Sequence, residues 1–217
     1  MRTKKLLFYL LAVLLGGCVP VMSLHSLYTK EKEDVVFEKK LLGTWVQEGP
    51  NDAQEPYINT WEFKQSDKSE KAYELFVCDN QGKKGWFVAH LVKLKKRFFL
   101  DVYPSELPWE PEDPNKVKWP YNSLFLIPAH TFLKIDSIEP ELKMRLTMEG
   151  EMEKLLKEDP NAVRHTSVED RLVLTASTKE LQAFVLKYAD DSRVFPEETV
   201  LNRKETKAPS SPASKTQ

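Results

Sequence analysis

Short runs in which apolar and polar residues alternate dominate the chain between residues 36 and 202. In residues 142–148 every second side chain is apolar and the intervening ones are polar or charged, which is the period of a half-buried β-strand. Similar runs, rich in aromatic and β-branched residues, predict about eight strands. They cover residues 44–47, 58–64, 73–78, 86–94, 98–103, 124–135, 142–148 and 171–175.

The connections between these runs favour antiparallel pairing. Residues 79–85 (DNQGKKG) and 94–97 (LKKR) are turn signals that separate neighbouring runs by only a few residues, as in β-hairpins. Pro128 interrupts the run at 124–135, because a proline cannot donate to a strand ladder. We therefore expect a mainly β domain built from an antiparallel barrel or a strongly curved sheet.

Two helices are predicted within this β-rich region. Residues 149–158 carry apolar side chains at helical spacing and end before Pro160. Residues 178–189 follow Ser177 and contain Glu180, the spacing of a capping box. The second helix repeats apolar residues at i, i+3, i+4 and i+7, so we expect one face of it to pack on the outside of the sheet.

The triplet Gly43-Thr44-Trp45 at the start of the first strand resembles the opening motif of lipocalin-like barrels. The resemblance implies about eight antiparallel strands followed by a helix that packs outside the barrel. It also implies that Gly43 lets the chain turn tightly into the strand and that Trp45 fills the closed end. A barrel of eight strands holds either packed side chains or one small ligand.

Composition excludes several classes of function. The 217 residues carry 32 Lys+Arg against 33 Asp+Glu, a net charge of -1, so the chain lacks the basic character of a nucleic-acid-binding protein. Only 7 glycines are present and no phosphate-binding loop motif occurs. The 2 cysteines cannot form a disulfide scaffold.

The N-terminus has the organisation of a secretory signal peptide. Arg2, Lys4 and Lys5 precede an apolar run at residues 6–15, which is shorter than the roughly 20 residues that a membrane-spanning helix needs. Such a basic segment followed by a short apolar segment is typical of signal peptides. An uncleaved signal anchor is the alternative.

The apolar run ends in Leu15-Gly16-Gly17-Cys18, which resembles the lipobox of bacterial lipoprotein precursors. The resemblance implies cleavage after Gly17, lipidation of Cys18 with palmitate, and attachment to a membrane of the cell envelope. At least two acyl chains make such an anchor stable. Val19, rather than an aspartate, follows Cys18; for a lipoprotein of a Gram-negative organism, the resemblance then implies the outer membrane rather than the inner one.

These signals predict four segments. Residues 1–17 are expected to be the signal peptide and residues 18–35 the lipidated N-terminus with a tether, because that stretch shows no sustained hydrophobic period. Residues 36–202 form the single globular domain. Residues 203–217 lack apolar anchors and are rich in Lys, Ser, Pro and Thr, so they are expected to be a disordered tail.

No motif indicates catalysis, a cofactor or a metal. The chain has neither a G-x-S-x-G elbow nor H-E-x-x-H, and we expect a non-enzymatic protein. His90 and His130 lie on predicted strands and could meet inside a barrel, but two ordinary strand histidines are the favoured interpretation. Cys78 is expected to be buried beside Phe76 rather than reactive.

Residues 103–121 (YPSELPWEPEDPNKVKWPY) form the most distinctive internal segment. Five prolines preclude regular structure, while four aromatic side chains argue for packing or binding. The candidate binding surface comprises Tyr103, Trp109, Trp119 and Tyr121. The alternative is that these rings only cover an edge of the core.

Three functional hypotheses follow. The first is a non-catalytic module that binds a hydrophobic ligand or an envelope partner. The second is a structural or assembly lipoprotein that docks another envelope protein through the segment 103–121. The third is an envelope hydrolase, which the absence of a catalytic motif makes the weakest. An enclosed apolar cavity would favour the first, and a filled core with Trp109 and Trp119 exposed together would favour the second.

Overall fold

The computed structural model describes residues 19–29, 34–48, 58–105 and 127–204. In these ranges the chain forms two α-helices, α1 (Glu149–Glu158) and α2 (Thr178–Lys187), and a series of strands. The strands are β1 (Met22–Ser23), β2 (Val35–Val36), β3 (Gly43–Glu48), β4 (Ile58–Gln65), β5 (Ala72–Cys78), β6 (Lys84–Leu94), β7 (Arg97–Pro104), β8 (Thr131–Ser137), β9 (Glu141–Leu146), β10 (His165–Val168), β11 (Arg171–Leu174) and β12 (Thr199–Arg203).

Eight of the strands form a closed antiparallel barrel. Their order is β6-β5-β4-β3-β12-β9-β8-β7, and pairing of β6 with β7 closes the ring. The short strand β2 continues the edge of β6 beyond the end of β5, where Val35 pairs with Val92. Three strands, in the order β1-β11-β10, form a small separate sheet.

Side chains packed against one another fill the barrel interior. The inward positions alternate along each strand, as the side-chain period of two requires. Trp45, Tyr73, Phe63, Leu91 and Leu100 are at most 1% exposed, so no space of water size adjoins these side chains. Together with their neighbours they form one continuous apolar core.

A second apolar layer covers part of the barrel's outer wall. The outward side chains of Val92, Phe99 and Phe132 pack beneath α1, α2 and the small sheet. Leu181, Phe184 and Val185 supply the buried face of α2. Strand β6 is apolar on both faces because one face lines the barrel and part of the other lies under this layer.

One end of the barrel is closed around Trp45. The indole Nε1 donates to Leu41 O at 2.9 Å, and the Arg203 guanidinium lies 4.2 Å from the ring centroid. Arg203 Nη1 also donates to Leu42 O at 2.7 Å. Gly43 has a φ of +113°, a backbone conformation that residues with a Cβ rarely adopt, so the turn into β3 requires glycine.

The predicted fold class is confirmed: the protein is a mainly β, lipocalin-like barrel with a C-terminal helix outside it and a short inserted helix. The assignment of residues 171–175 to the barrel is wrong. That run forms β11, whose partners are β1 and β10. The eighth strand of the barrel is instead β12. Leu201 is its only fully buried residue, and a single buried position is too weak a pattern to predict a strand.

Two predicted boundaries also need correction. Residues 19–29, expected to belong to a free tether, are part of the fold: Val21 and Leu27 are at most 1% exposed. Their backbone hydrogen bonds go to residues distant in sequence, so no local hydrophobic period predicts that they belong to the fold. Arg203, expected to begin a disordered tail, pairs with Trp45 in the barrel; residues 205–217 lie outside the described ranges.

Across the described ranges, neither helix has the length and apolar character needed to cross a bilayer.

Candidate functional site

The outer wall of β4, β5, β6 and β7 carries an aromatic groove that the apolar outer layer does not cover. Phe76, Trp86, Val88 and Tyr103 line it at outward positions, and its volume is about 660 Å³. The rings of Phe76 and Trp86 meet edge to face with centroids 5.2 Å apart. Trp86 is 42% exposed, which marks the groove as a surface where a partner can gain buried apolar area.

Charged residues of both signs border this groove. Glu62, Lys64, Lys68 and Glu74 contribute to its walls, and Lys64 Nζ lies 3.2 Å from the Glu62 carboxylate. Both partners of that ion pair are accessible to solvent, so it stabilises the fold little. The mixed charge indicates a polar rim around an aromatic floor, the usual composition of a protein-binding surface.

A buried carboxyl group, Asp101, lies beside the groove on the same outer face. Its Oδ2 accepts a hydrogen bond from the backbone N–H of Leu27 at 2.6 Å, and its Oδ1 lies 2.6 Å from His130 Nδ1. The side chain is fully buried. Asp101 therefore connects the N-terminal segment and the His130 imidazole to the barrel wall.

His90 faces the same cluster from the neighbouring strand. It is the cross-strand partner of Asp101, and the ring of Tyr28 lies over it with centroids 4.3 Å apart. His90 Nδ1 is buried without a hydrogen-bond partner among the described residues. Tyr103 packs against the His130 ring at 5.3 Å, which joins the cluster to the aromatic groove.

Burial sets the titration of two members of this cluster. It lowers the pKa of His90 below its ordinary value, because an imidazolium loses solvation there; Asp101 opposes this effect and His130 reinforces it. Burial, with smaller contributions from Asp101 and Tyr103, raises the pKa of Tyr28 to about 12. His90 is thus held in its neutral form and Tyr28 keeps its proton.

A second groove, of about 550 Å³, continues along the wall from His90. Tyr28, Thr29, Lys68 and Lys71 are among its lining residues. Lys68 borders both grooves, and Trp86, Val88 and His90 follow one another on the outward face of β6. The two grooves therefore form one surface on the outside of the barrel, which we call the outer-wall groove.

The chemistry that this arrangement can perform is limited. Both carboxyl oxygens of Asp101 have partners within the fold, and within the described ranges no hydroxyl or thiol is hydrogen-bonded to His90 or His130. Nucleophilic catalysis needs such a contact between base and nucleophile. The described residues also contain no cluster of three or more metal-ligating side chains.

The structure brings together only part of what the sequence predicted. Tyr103 lies in the outer-wall groove, whereas Cys18, Trp109, Trp119 and Tyr121 lie outside the described residues. His90 and His130 do converge, but on the outer wall and not inside the barrel. Cys78 is half-buried rather than fully buried.

Sequence reasoning missed Asp101, Tyr28 and Trp86 as site residues. His90 and Asp101 were both on predicted neighbouring strands, and the tight turn at Lys95 fixes their register as partners. That signal was available before the structure. Tyr28 and Leu27 gave no such signal, because their contacts depend on how the N-terminal segment crosses the barrel.

No protein-family model matches the chain, and no curated protein or solved structure matches it significantly.

Proposed function

We propose that the protein is a lipid-anchored lipoprotein of the bacterial cell envelope that binds an envelope protein through its outer-wall groove, without catalysis. Two features support the two halves of the proposal. The N-terminal sequence resembles a lipoprotein precursor with Cys18 as the lipidated residue. The aromatic floor of the groove, with Trp86 42% exposed, supports the binding role.

The filled barrel favours a protein partner over a hydrophobic ligand in the interior. The barrel residues Trp45, Phe63, Tyr73 and Leu91 are buried to 1% exposure or less, so a ligand would have to displace core side chains. Aromatic residues at a polar-rimmed surface, in contrast, are the usual anchors of protein interfaces. The filled barrel interior is the single observation that favours a protein partner over a small hydrophobic ligand.

The described start of the segment 103–121 adjoins the same surface. Tyr103 belongs to the outer-wall groove, and the chain leaves the described residues after Ser105 at the groove's border. Docking through Trp109, Trp119 and Tyr121 therefore remains the alternative form of the proposal. In both forms the partner is an envelope protein, and in a Gram-negative organism the proposed location is the outer membrane, because Val19 and not an aspartate follows Cys18.

Lipidation is tested by metabolic labelling. The wild-type chain, expressed in a bacterium with labelled palmitate, is expected to incorporate label and to fractionate with membranes. The variant Cys18→Ser is expected to lose both, while Cys78→Ser keeps both and serves as the matched control. Label on the Cys18→Ser chain would refute the anchor.

Partner binding is tested by site-specific photocrosslinking in the intact envelope. A photoreactive residue at position 86 is expected to give a discrete crosslinked product, whereas the same residue at position 187, exposed on α2, gives none. Trp86→Ala is expected to abolish partner binding at unchanged thermal stability. If Trp109→Ala and Trp119→Ala lose binding while Trp86→Ala keeps it, the binding site is the segment 103–121. Binding of a fluorescent apolar probe inside the barrel would favour a hydrophobic ligand over a protein partner.

A further inference from the structure

We infer that one end of the domain lies against the lipid bilayer in a fixed orientation: the end that carries the start of α1 and the β10–β11 turn. The inference rests on the proposed lipidation of Cys18. It goes beyond that proposal because it names the surface of the folded domain that meets the lipid. It is based on the hydrogen bonds that hold the described N-terminal residues in the fold.

Backbone hydrogen bonds fix the segment that follows Cys18. The N–H of Glu149 donates to Val19 O at 2.9 Å, and the N–H of Val21 donates to Thr147 O at 3.1 Å. The Val21 side chain is 1% exposed. From Met22 onward the segment continues as β1, which pairs in parallel with β11. The chain is therefore part of the fold from Val19.

A lipid on Cys18 consequently sits beside a fixed point of the domain. Neighbouring Cα atoms are about 3.8 Å apart, and Cys18 is bonded directly to Val19. A free tether over residues 19–35 would have allowed a separation of up to roughly 60 Å from the bilayer. With the segment held in place, the domain surface around Val19 is confined to the headgroup region.

The register of β1 identifies which surface this is. β1 pairs in parallel with β11, with Met22 opposite Val173, so the residues before Met22 lie toward Arg171 and the turn between β10 and β11. Glu149 begins α1 at the same place and accepts a hydrogen bond from Leu172 N–H. Val168, at the edge of the turn, is 55% exposed, so an apolar side chain is accessible at this end of the domain.

Charge does not explain this contact, so the covalent anchor must hold it. The turn carries Glu169 and Asp170 next to Val168, and acidic side chains are not attracted to anionic headgroups. The orientation is therefore expected to disappear when lipidation is prevented, on neutral and on anionic membranes alike.

Depth-dependent fluorescence quenching tests the orientation. The full chain is purified from a bacterium in lipidated form with Cys78→Ser, carries a fluorophore on Val168→Cys, and is reconstituted into vesicles with a headgroup-linked quencher. The matched control carries the fluorophore on Lys157→Cys, an exposed site that lies about 12 Å along α1 from Glu149 at 1.5 Å per residue. We expect several-fold stronger quenching at position 168 than at position 157.

A second variant separates the orientation from simple attachment. A flexible Gly/Ser insert of about 20 residues between Cys18 and Val19 frees the domain from the surface, so the difference between positions 168 and 157 is expected to vanish while palmitate incorporation stays. Equal quenching at the two positions without the insert, or stronger quenching at 157, would overturn the orientation and leave the anchor intact. Absence of palmitate from the wild-type chain would overturn both.

Discussion

At the scale of single residues, Asp101 is a buried polar group that joins the N-terminal segment and His130 to the outer wall of the barrel. It is fully buried and satisfies the backbone N–H of Leu27 as well as the His130 imidazole. A buried donor that loses its acceptor costs more than the hydrogen bond was worth. The residue therefore holds the N-terminal segment against the barrel.

Removal of this carboxyl group is expected to loosen the N-terminal segment. Asp101→Ala leaves the Leu27 N–H without an acceptor and should lower the free energy of unfolding by about 1–3 kcal/mol. Asp101→Asn retains one acceptor oxygen and should cost less. Urea denaturation measures the loss, and hydrogen exchange should show faster exchange at Leu27. Unchanged exchange there in the alanine variant would contradict the assigned role.

His90 is expected to make part of the stability depend on pH. Burial lowers its pKa below the ordinary 6.5, so the unfolded chain takes up this proton at a higher pH than the folded protein does. The contribution of neutral His90 to the free energy of unfolding is therefore complete above pH 6.5. It is lost as the pH falls through 6.5 toward the lower pKa that His90 has in the folded protein. His90→Gln should flatten this part of the stability profile.

The matched control for that profile is His25→Gln, because His25 is exposed. Urea denaturation between pH 5 and 8, the range of histidine titration, should show an unchanged slope in this variant. If the two variants flatten the profile equally, burial at His90 is not its cause.

Trp45 and Arg203 should contribute to stability very unequally. Trp45 is fully buried, so Trp45→Ala is expected to cost about 3–5 kcal/mol. Arg203 is exposed and stacks on the indole; loss of the stacked guanidinium in Arg203→Lys should cost about 1 kcal/mol. Lys204→Ala, the neighbouring exposed residue, should cost nothing measurable. If Arg203→Lys lowered the free energy of unfolding as much as Trp45→Ala does, the arginine would be needed for the packing of the whole closed end of the barrel.

At the scale of elements, the capping box of α2 shows which features can be predicted from residues close together in the sequence. The N–H of Ser177 donates to the Glu180 carboxylate at 2.8 Å, and the box predicted from the sequence is confirmed. Arg164 Nη2 also contacts Glu180. The hydrogen bonds from Ser177, together with that from Arg164, lower the pKa of Glu180 to about 2. Ser177 and Glu180, which form the box at the start of the helix, are near one another in the sequence, whereas Arg164 lies 16 positions from Glu180.

Loss of the cap should destabilise the protein moderately. Ser177→Ala is expected to lower the free energy of unfolding by about 1 kcal/mol, the usual cost of an N-cap serine. Lys179→Ala, exposed in the first turn of the same helix, is the control and should change little. Thermal or urea denaturation of both variants measures the difference, and an equal effect would argue that the helix gains nothing from its cap.

At the scale of the whole molecule, closure of the barrel depends on its last strand. Strand β12 pairs with both β3 and β9, so its removal would expose two strand edges and open the core. A chain that ends at residue 198 is therefore expected to aggregate or to unfold. A chain that ends at residue 204 keeps β12 and should retain the wild-type melting temperature. A folded, soluble chain after the first truncation would show that closure is dispensable.

The sequence by itself determined the strands with clear alternation, both helices, the capping box and the Gly43-Thr44-Trp45 start of the barrel. Each of these is set by residues within a few positions of one another, because side-chain period, capping and turn geometry act locally. The register of β6 against β7 was also accessible, since the turn at Lys95 joins them directly.

Only the tertiary structure decided which strands belong to the barrel, where the N-terminal segment lies and what forms the outer-wall groove. Residues 171–175 carry the stronger local strand pattern, yet they join the small sheet, and the weakly patterned residues 199–203 belong to the barrel. Leu27 and Asp101 lie 74 positions apart. Such contacts depend on which apolar surfaces pack together when the whole chain folds, and no local pattern in the sequence specifies that.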